Sequence, residues 1–129
     1  MTKSPTGARP PSNRQLRAGE LIRRALIEAL AEGHFRDPVL AGASLTVSEV
    51  RVSPDLKHAS AFVMPLGGSE AREILAALKR ARVYLRTEVA RRVQLRHAPE
   101  LHFELDRSFD ESARVERLLR SDAVKRDLA

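Results

Sequence analysis

Arg82 stands inside an apolar stripe, and that one position limits how residues 69–93 can fold. Along this stretch Ile74, Leu75, Leu78, Leu85, Val89 and Val93 recur at helical spacings. A straight helix through all of them would place Arg82 between Leu78, Leu85 and Val89, burying an unpaired guanidinium. The pattern therefore predicts a break near residues 80–83 that makes two helices and turns Arg82 outward. The alternative is a continuous helix whose Arg82 snorkels to the surface. Ser69 with Arg72 and Glu73 makes only an imperfect capping box at the start.

The same stretch is strongly basic. Residues 79–96 read KRARVYLRTEVARRVQLR, seven cations against one acid, and Arg72 adds an eighth cation upstream. Guanidinium forks match phosphate oxygens, so a dense row of them is the footprint of a polyanion binder. The charge is segregated. Residues 1–24 carry +5 and residues 72–97 carry +6, while residues 25–71 carry −3 and residues 98–129 carry −2. A merely solvated surface would intersperse its signs. The bland reading of a solvated basic helix face stays beside the functional one.

Elsewhere the elements are short and punctuated. Residues 1–12 are expected to be a flexible leader. Ser12 or Asn13 can cap a helix that runs to about Glu32 and ends at Gly33. On it Leu16, Ile22, Leu26 and Leu30 share one side, and Arg14, Arg17 and Arg24 share an outer face. Asp37-Pro38 and Gly42 mark a loop. Two strands are expected at 45–53 and 58–64, joined by a Ser53-Pro54-Asp55 turn into an antiparallel hairpin. The alternation of the first slips between Val47 and Val50, which predicts a bulge. Ala59, Ala61 and Val63 alternate against Ser60, Phe62 and Met64 on the second. His97-Ala98-Pro99 ends the helical region, a third strand covers 101–106, and a short amphipathic helix covers 110–119 through Val115, Leu118 and Leu119. The charged residues 120–129 form a tail. The chain thus divides into a leader (1–12), one domain (13–119) and a tail (120–129).

Composition removes several function classes. At 129 residues and 43% hydrophobic the chain suits one folded domain. Aromatic residues make up only 4%, without tryptophan, so the core must rest on Leu, Val, Ile and Ala. The absence of cysteine excludes disulfides, thiolate metal sites and cysteine nucleophiles, and suits the cytoplasm. No apolar run approaches the roughly 18 residues of a membrane span, and the polar leader lacks the apolar stretch of a secretory signal.

The chemistry of catalysis is thin. His34, His58, His97 and His102 are scattered, with no i,i+4 pair and no acid at metal-ligand spacing, so no metal or cofactor is expected. Asp106, Asp110 and Glu111 form an acidic cluster better suited to capping a helix than to holding Mg²⁺. Ser53, Ser60 and Ser108 have no evident base partner, and no phosphate loop is present. Tyr84 is the one plausible stacking aromatic, Phe62 and Phe103 being expected in the core, so a base-stacking surface is disfavoured.

Three stretches taken together resemble a known family. VSPDLKHASAFV (52–63), YLRTEVARRVQLRHAPELHFELDRS (84–108) and ARVERLL (113–119) are similar, in order and spacing, to ribosome-binding factor A of bacteria. The resemblance implies an α+β, KH-like domain of the second topology, α-β-β-α-α-β. It also implies a non-enzymatic assembly factor that binds the immature small (30S) ribosomal subunit and its 16S rRNA and aids late rRNA processing. A typical KH module grips nucleotides with a GXXG loop between two helices. Here Gly67-Gly68 precedes the helix pair, and residues 69–95 contain no glycine. The family instead has an interhelical Ala-x-Gly kink; its matching positions are Ala81, Arg82 and Val83, so the glycine is missing. Binding is then expected to rest on phosphate contacts from Lys79, Arg80, Arg82, Arg86, Arg91, Arg92 and Arg96, joined by Arg14 and Arg17, in a monomer. Three alternatives stay open: a metal-dependent nuclease using Asp106 and Asp110, a protein-interaction module, and a generic basic nucleic-acid binder without a maturation role.

Overall fold

Ser12 starts the first helix, as its position before a helical pattern requires. In the computed structural model, which describes residues 10–33, 35–41, 44–66, 70–95 and 97–106, α1 spans Asn13–Glu32. The Ser12 Oγ accepts from the Gln15 N–H, and the Gln15 side chain accepts from the Ser12 N–H, a reciprocal capping box. Gly33 closes the helix in an extended conformation, φ −67°. Ala18, Gly19, Ile22, Ala25, Leu26 and Ala29 form the buried face. Leu16, expected on that face, is instead 57% exposed, because at 100° per residue it sits about 120° round the helix from Ile22.

Residues 37–41, expected as loop, contain a single helical turn, α2 (Pro38–Ala41). Asp37 makes it by accepting from the Val39 N–H through Oδ1 and from the Ala41 N–H through its carbonyl. β1 (Ser44–Val52) and β2 (His58–Leu66) then pair antiparallel, and the register shifts between Val47 and Glu49, where the alternation slipped. Ser53 and Asp55 build the connecting turn: Ser53 Oγ donates to Asp55 Oδ1 at 2.6 Å and accepts from the His58 N–H at 3.0 Å.

The long helical stretch is broken. α3 (Ala71–Arg80) and α4 (Arg82–Arg92) meet at Ala81, which has φ −88° and ψ 6°. Ile74, Leu78, Leu85 and Val89 all remain buried across the break, while Arg82 is exposed. Glu70 is the N-cap of α3 without a side-chain cap bond, and Ser69 lies outside the described residues. β3 (Glu100–Leu105) pairs parallel with β2, so α3 and α4 form the crossover between neighbouring parallel strands. The sheet order is β1-β2-β3.

The helices cover one face of this sheet. Ala59, Ala61, Val63, Leu101 and Phe103 point into the core with Ile22, Leu26, Ile74 and Leu78. Full burial of each larger aliphatic side chain stabilises the fold by about 1.5–3 kcal/mol before the entropy of ordering is subtracted. Phe62, expected in the core, is half-buried on the opposite face, where the Arg51 guanidinium sits 5.1 Å from its ring centre. This is an α+β domain with the α-β-β-α-α-β order of the second KH topology, to which α2 adds one turn. The expected helix at 110–119, the tail at 120–129 and Gly67-Gly68 lie outside the described residues.

Candidate nucleic-acid interface

The fold sorts the basic side chains by environment. Arg82, the first residue of α4, and Lys79, in the last turn of α3, are exposed at the break. Neither has an ion-pair partner among the described residues. Arg14 and Arg17 are likewise exposed on the first turns of α1, with no carboxylate in reach among those residues. These four charges are exposed and unpaired among the described residues, so no ion pair has to be broken for a phosphate to reach them.

Three arginines are exposed but engaged. Arg80 holds Asp37 at 2.7 Å and so ties the end of α3 to the start of α2. That hydrogen bond keeps the Asp37 carboxyl below its ordinary range, helped by the Val39 N–H and opposed by burial. Arg86 donates through Nε and Nη2 to the Ala98 carbonyl, at 3.3 and 3.0 Å, and anchors the loop before β3. Arg91 meets Glu88 at 2.9 Å, yet 72% of its side chain stays exposed.

Arg92 is different in kind. Only 24% of its side chain is exposed, and three carboxylates surround it: Glu88 at 3.2 Å, Glu28 at 3.3 Å and Glu32 at 3.4 Å. The Glu32 bond raises its pKa; burial opposes that, and Glu88 and Glu28 add to it. Its Nε is buried with no hydrogen-bond partner among the described residues. This guanidinium fastens α4 to α1. Arg96 lies outside the described residues.

The cations therefore fall into separated groups. Arg92 brings the end of α4 against Glu28 and Glu32, near the end of α1. Arg17 lies about 16 Å back along the α1 axis from Glu28, at the 1.5 Å rise of a helix. Beside Arg82 at the break sits an apolar knuckle: Val83 is 75% exposed, and Tyr84, 44% exposed, packs edge-on against Phe35 with ring centres 5.7 Å apart. Tyr84 is thus partly occupied and offers a restricted stacking face.

Two features were not visible in the sequence as separate signals. Glu88, the one acid in the basic row, is 8% exposed and organises both Arg91 and Arg92. Its i,i+3 and i,i+4 spacing to them was the available clue. His58 and His102, 44 residues apart, come together on the open face of the sheet with Nδ1 and Nε2 at 3.1 Å. Catalytic arrangements do not appear among the described residues. Asp106 accepts from Ser48 Oγ at 2.6 Å, while Asp110 and Glu111 lie outside those residues. No group of three or more His, Asp or Glu is placed to hold a metal, and no helix is long and apolar enough to cross a membrane, among the described residues.

A family model described as ribosome-binding factor A matches residues 14–119. The chain belongs to the ribosome-binding factor A family. Ribosome-binding factor A of Methylobacterium nodulans is 54% identical over 126 residues, which cover 98% of this chain and 93% of that one. The Methylobacterium sp. (strain 4-46) factor is 56% identical, with 98% and 91% covered. Among solved structures, the crystal structure of ribosome-binding factor A from Thermus thermophilus is 34% identical with a TM-score of 0.60, covering 70% of this chain and 94% of that one. A homology model of Thermus thermophilus ribosome-binding factor A, fitted into the cryo-electron-microscopy map of a complex of that factor with 30S, is also similar, at 34% identity and a TM-score of 0.56 over 69% of this chain and 91% of that one. These neighbours share the fold described above.

Proposed function

We propose that this member of the ribosome-binding factor A family binds the immature 30S subunit and its 16S rRNA in the cytoplasm, as a monomer, and promotes late maturation of that rRNA. It acts without catalysing a reaction. The observation that carries this reading is the 34% identical Thermus thermophilus relative placed in a 30S complex. The charge distribution agrees with it. Arg14, Arg17, Lys79 and Arg82 are the phosphate contacts, with Arg91 available at the cost of one exposed ion pair and Arg80 and Arg86 at the rim. Arg96 belongs to the same contact set. Arg92 is left out as a direct contact because its fork is filled by carboxylates. Residues 13–119 are the binding unit, preceded by a leader and followed by a short charged tail.

Binding shifts a conformational equilibrium only by the difference in affinity for its two states. A factor whose cations match the phosphate arrangement of mature-like rRNA therefore favours that arrangement while it is bound. Gradient sedimentation of cell extract tests this, with the protein located by antibody and rRNA examined in a strain lacking the gene. Co-migration with small subunits and accumulation of unprocessed 16S precursor are expected. A protein that stays at the top of the gradient, with normal rRNA in the deletion strain, overturns the reading. Complexes that survive ribonuclease and high salt would favour a protein-interaction module instead.

A further inference from the structure

We infer that the outer edge of β3 takes up an extended, lysine- or arginine-rich segment of a partner protein as an added strand. This surface is separate from the rRNA contacts proposed above. β3 ends the sheet order β1-β2-β3, so one of its edges has no strand beside it among the described residues. The register decides which groups that edge presents. The Glu100 N–H bonds to the Lys57 carbonyl and the Asp106 N–H to the Val63 carbonyl, both toward β2. A strand repeats every second residue, so His102 and Glu104 also turn their backbone groups to β2. Leu101, Phe103 and Leu105 turn theirs outward. Unpaired N–H and carbonyl groups along an edge are a template for a further strand, the main-chain mode of peptide recognition.

The side chains set the chemistry of that strand. Leu101 and Phe103 are buried under the helices, while Leu105 and Leu75 of α3 are half-buried at the border of the core. Glu100, His102 and Glu104 alternate with these leucine and phenylalanine positions and face the open side of the sheet. Glu100 and Glu104 are exposed, and neither is in an ion pair among the described residues. Glu49 and Asp106 lie on the same face, where Glu49 already holds the Arg51 guanidinium at 2.8 Å. An added strand therefore gains from cations at its open-face positions and from apolar residues at its helix-side positions, in alternation. The same glutamates repel phosphate, which leaves nucleic acid to the cations of α1 and the helix break.

Amide hydrogen exchange of the full chain, read by nuclear magnetic resonance at low salt, tests the site with a short peptide alternating lysine and valine. In the free protein the Leu101, Phe103 and Leu105 N–H groups should exchange faster than those of His102 and Glu104, and the peptide should protect them. Methylating the backbone nitrogens of one alternate set in the peptide should abolish binding: the valines for an antiparallel strand, the lysines for a parallel one. Methylating the other set should not. A peptide alternating glutamate and valine should not bind. Glu100→Gln combined with Glu104→Gln should weaken binding by about twofold to thirtyfold, the range for two cross-strand charge pairs. Both positions are exposed, and the spectrum of the free variant shows that it folds. No binding of the lysine–valine peptide up to about 1 mM overturns the inference. Binding that survives methylation of either set overturns it too, since charge attraction alone needs no ladder. Protection of the three amides by a single-stranded oligonucleotide instead, or by raising the protein concentration without peptide, would give the edge to nucleic acid or to a second copy and overturn the peptide assignment.

Discussion

Arg92 and Glu88 clasp each other one turn apart on α4, Nη2 to Oε1 at 3.2 Å, and the same guanidinium reaches Glu28 and Glu32 on α1. The basic helix is thereby fixed to its neighbour by one of its own arginines. Removing that guanidinium leaves three carboxylates facing one another. Arg92→Ala should lower the urea midpoint, with little change in slope, and by clearly more than Arg91→Ala, whose side chain is 72% exposed. Equal midpoints for the two variants would show that Arg92 has no structural role.

The same cluster sets an acid limit on stability. Burial pushes the Glu88 carboxyl up, but hydrogen bonds from Arg91 and Arg92 together outweigh it and hold the pKa below the ordinary 4.5. A depressed folded-state pKa contributes stability that is fully present above the unfolded value and lost as pH falls through the folded one. Wild type should therefore lose stability on acidification below about pH 4.5, and Glu88→Gln should lose less over that window. Parallel stability–pH curves for the two proteins would remove Glu88 from the account.

What was legible in the sequence was local. The Ser12 cap, the slip at Val47–Val50 and the break forced by Arg82 each depend on residues within a few positions of one another, and each stands where it was read. Partnerships set by tertiary packing were not legible. Helical spacing sets Arg92, three residues after Val89 and seven after Leu85, beside the buried stripe and Arg91 away from it, but only the docking of α4 on α1 supplies Glu28 and Glu32 as its partners. Phe62 looked like core because aromatic residues usually are, yet its place in the alternation, with Ser60 and Met64, already put it on the other face. The His58–His102 pair depends on the parallel register of β2 and β3 across a helical crossover, which no local pattern reports.

Gly19 illustrates a close approach that composition hides. A Cβ built there would lie 2.6 Å from the Val50 carbonyl oxygen, and that neighbour is backbone, so α1 or β1 would have to move. Gly19→Ala should destabilise the fold by about 1–3 kcal/mol despite alanine's better helix propensity. Chemical denaturation measures this, and a stabilised variant would contradict the close packing of α1 on β1.

The break between α3 and α4 does not need the absent glycine. Ala81 carries the non-helical dihedral angles, while Val83 is an ordinary, 75% exposed residue of the first turn of α4. Val83→Gly should therefore cost only about 0.3–0.5 kcal/mol, the propensity difference, and leave the amide chemical shifts of α3 unchanged. Widespread shift changes through α3 and α4 would mean that the residue at 83 controls the break.

The division of the cations by environment leads to the sharpest test of the proposed subunit contact. Lys79 and Arg82, which have no ion-pair partner among the described residues, can be replaced by alanine together with Arg91 at the cost of one ion pair to Glu88, which keeps Arg92, whereas Arg92→Ala disturbs the α1–α4 seam. The triple variant should melt closer to wild type than Arg92→Ala does and lose subunit affinity, and Arg92→Ala should lose both. If about five phosphates are contacted, the log–log salt slope of wild-type binding should be about −3.5 to −4.5, falling in magnitude by roughly 0.7–0.9 for each contact removed. Subunit binding measured by sedimentation over a salt series separates the outcomes. Unchanged affinity and slope in a folded triple variant would move the contact surface off this face of the helix pair.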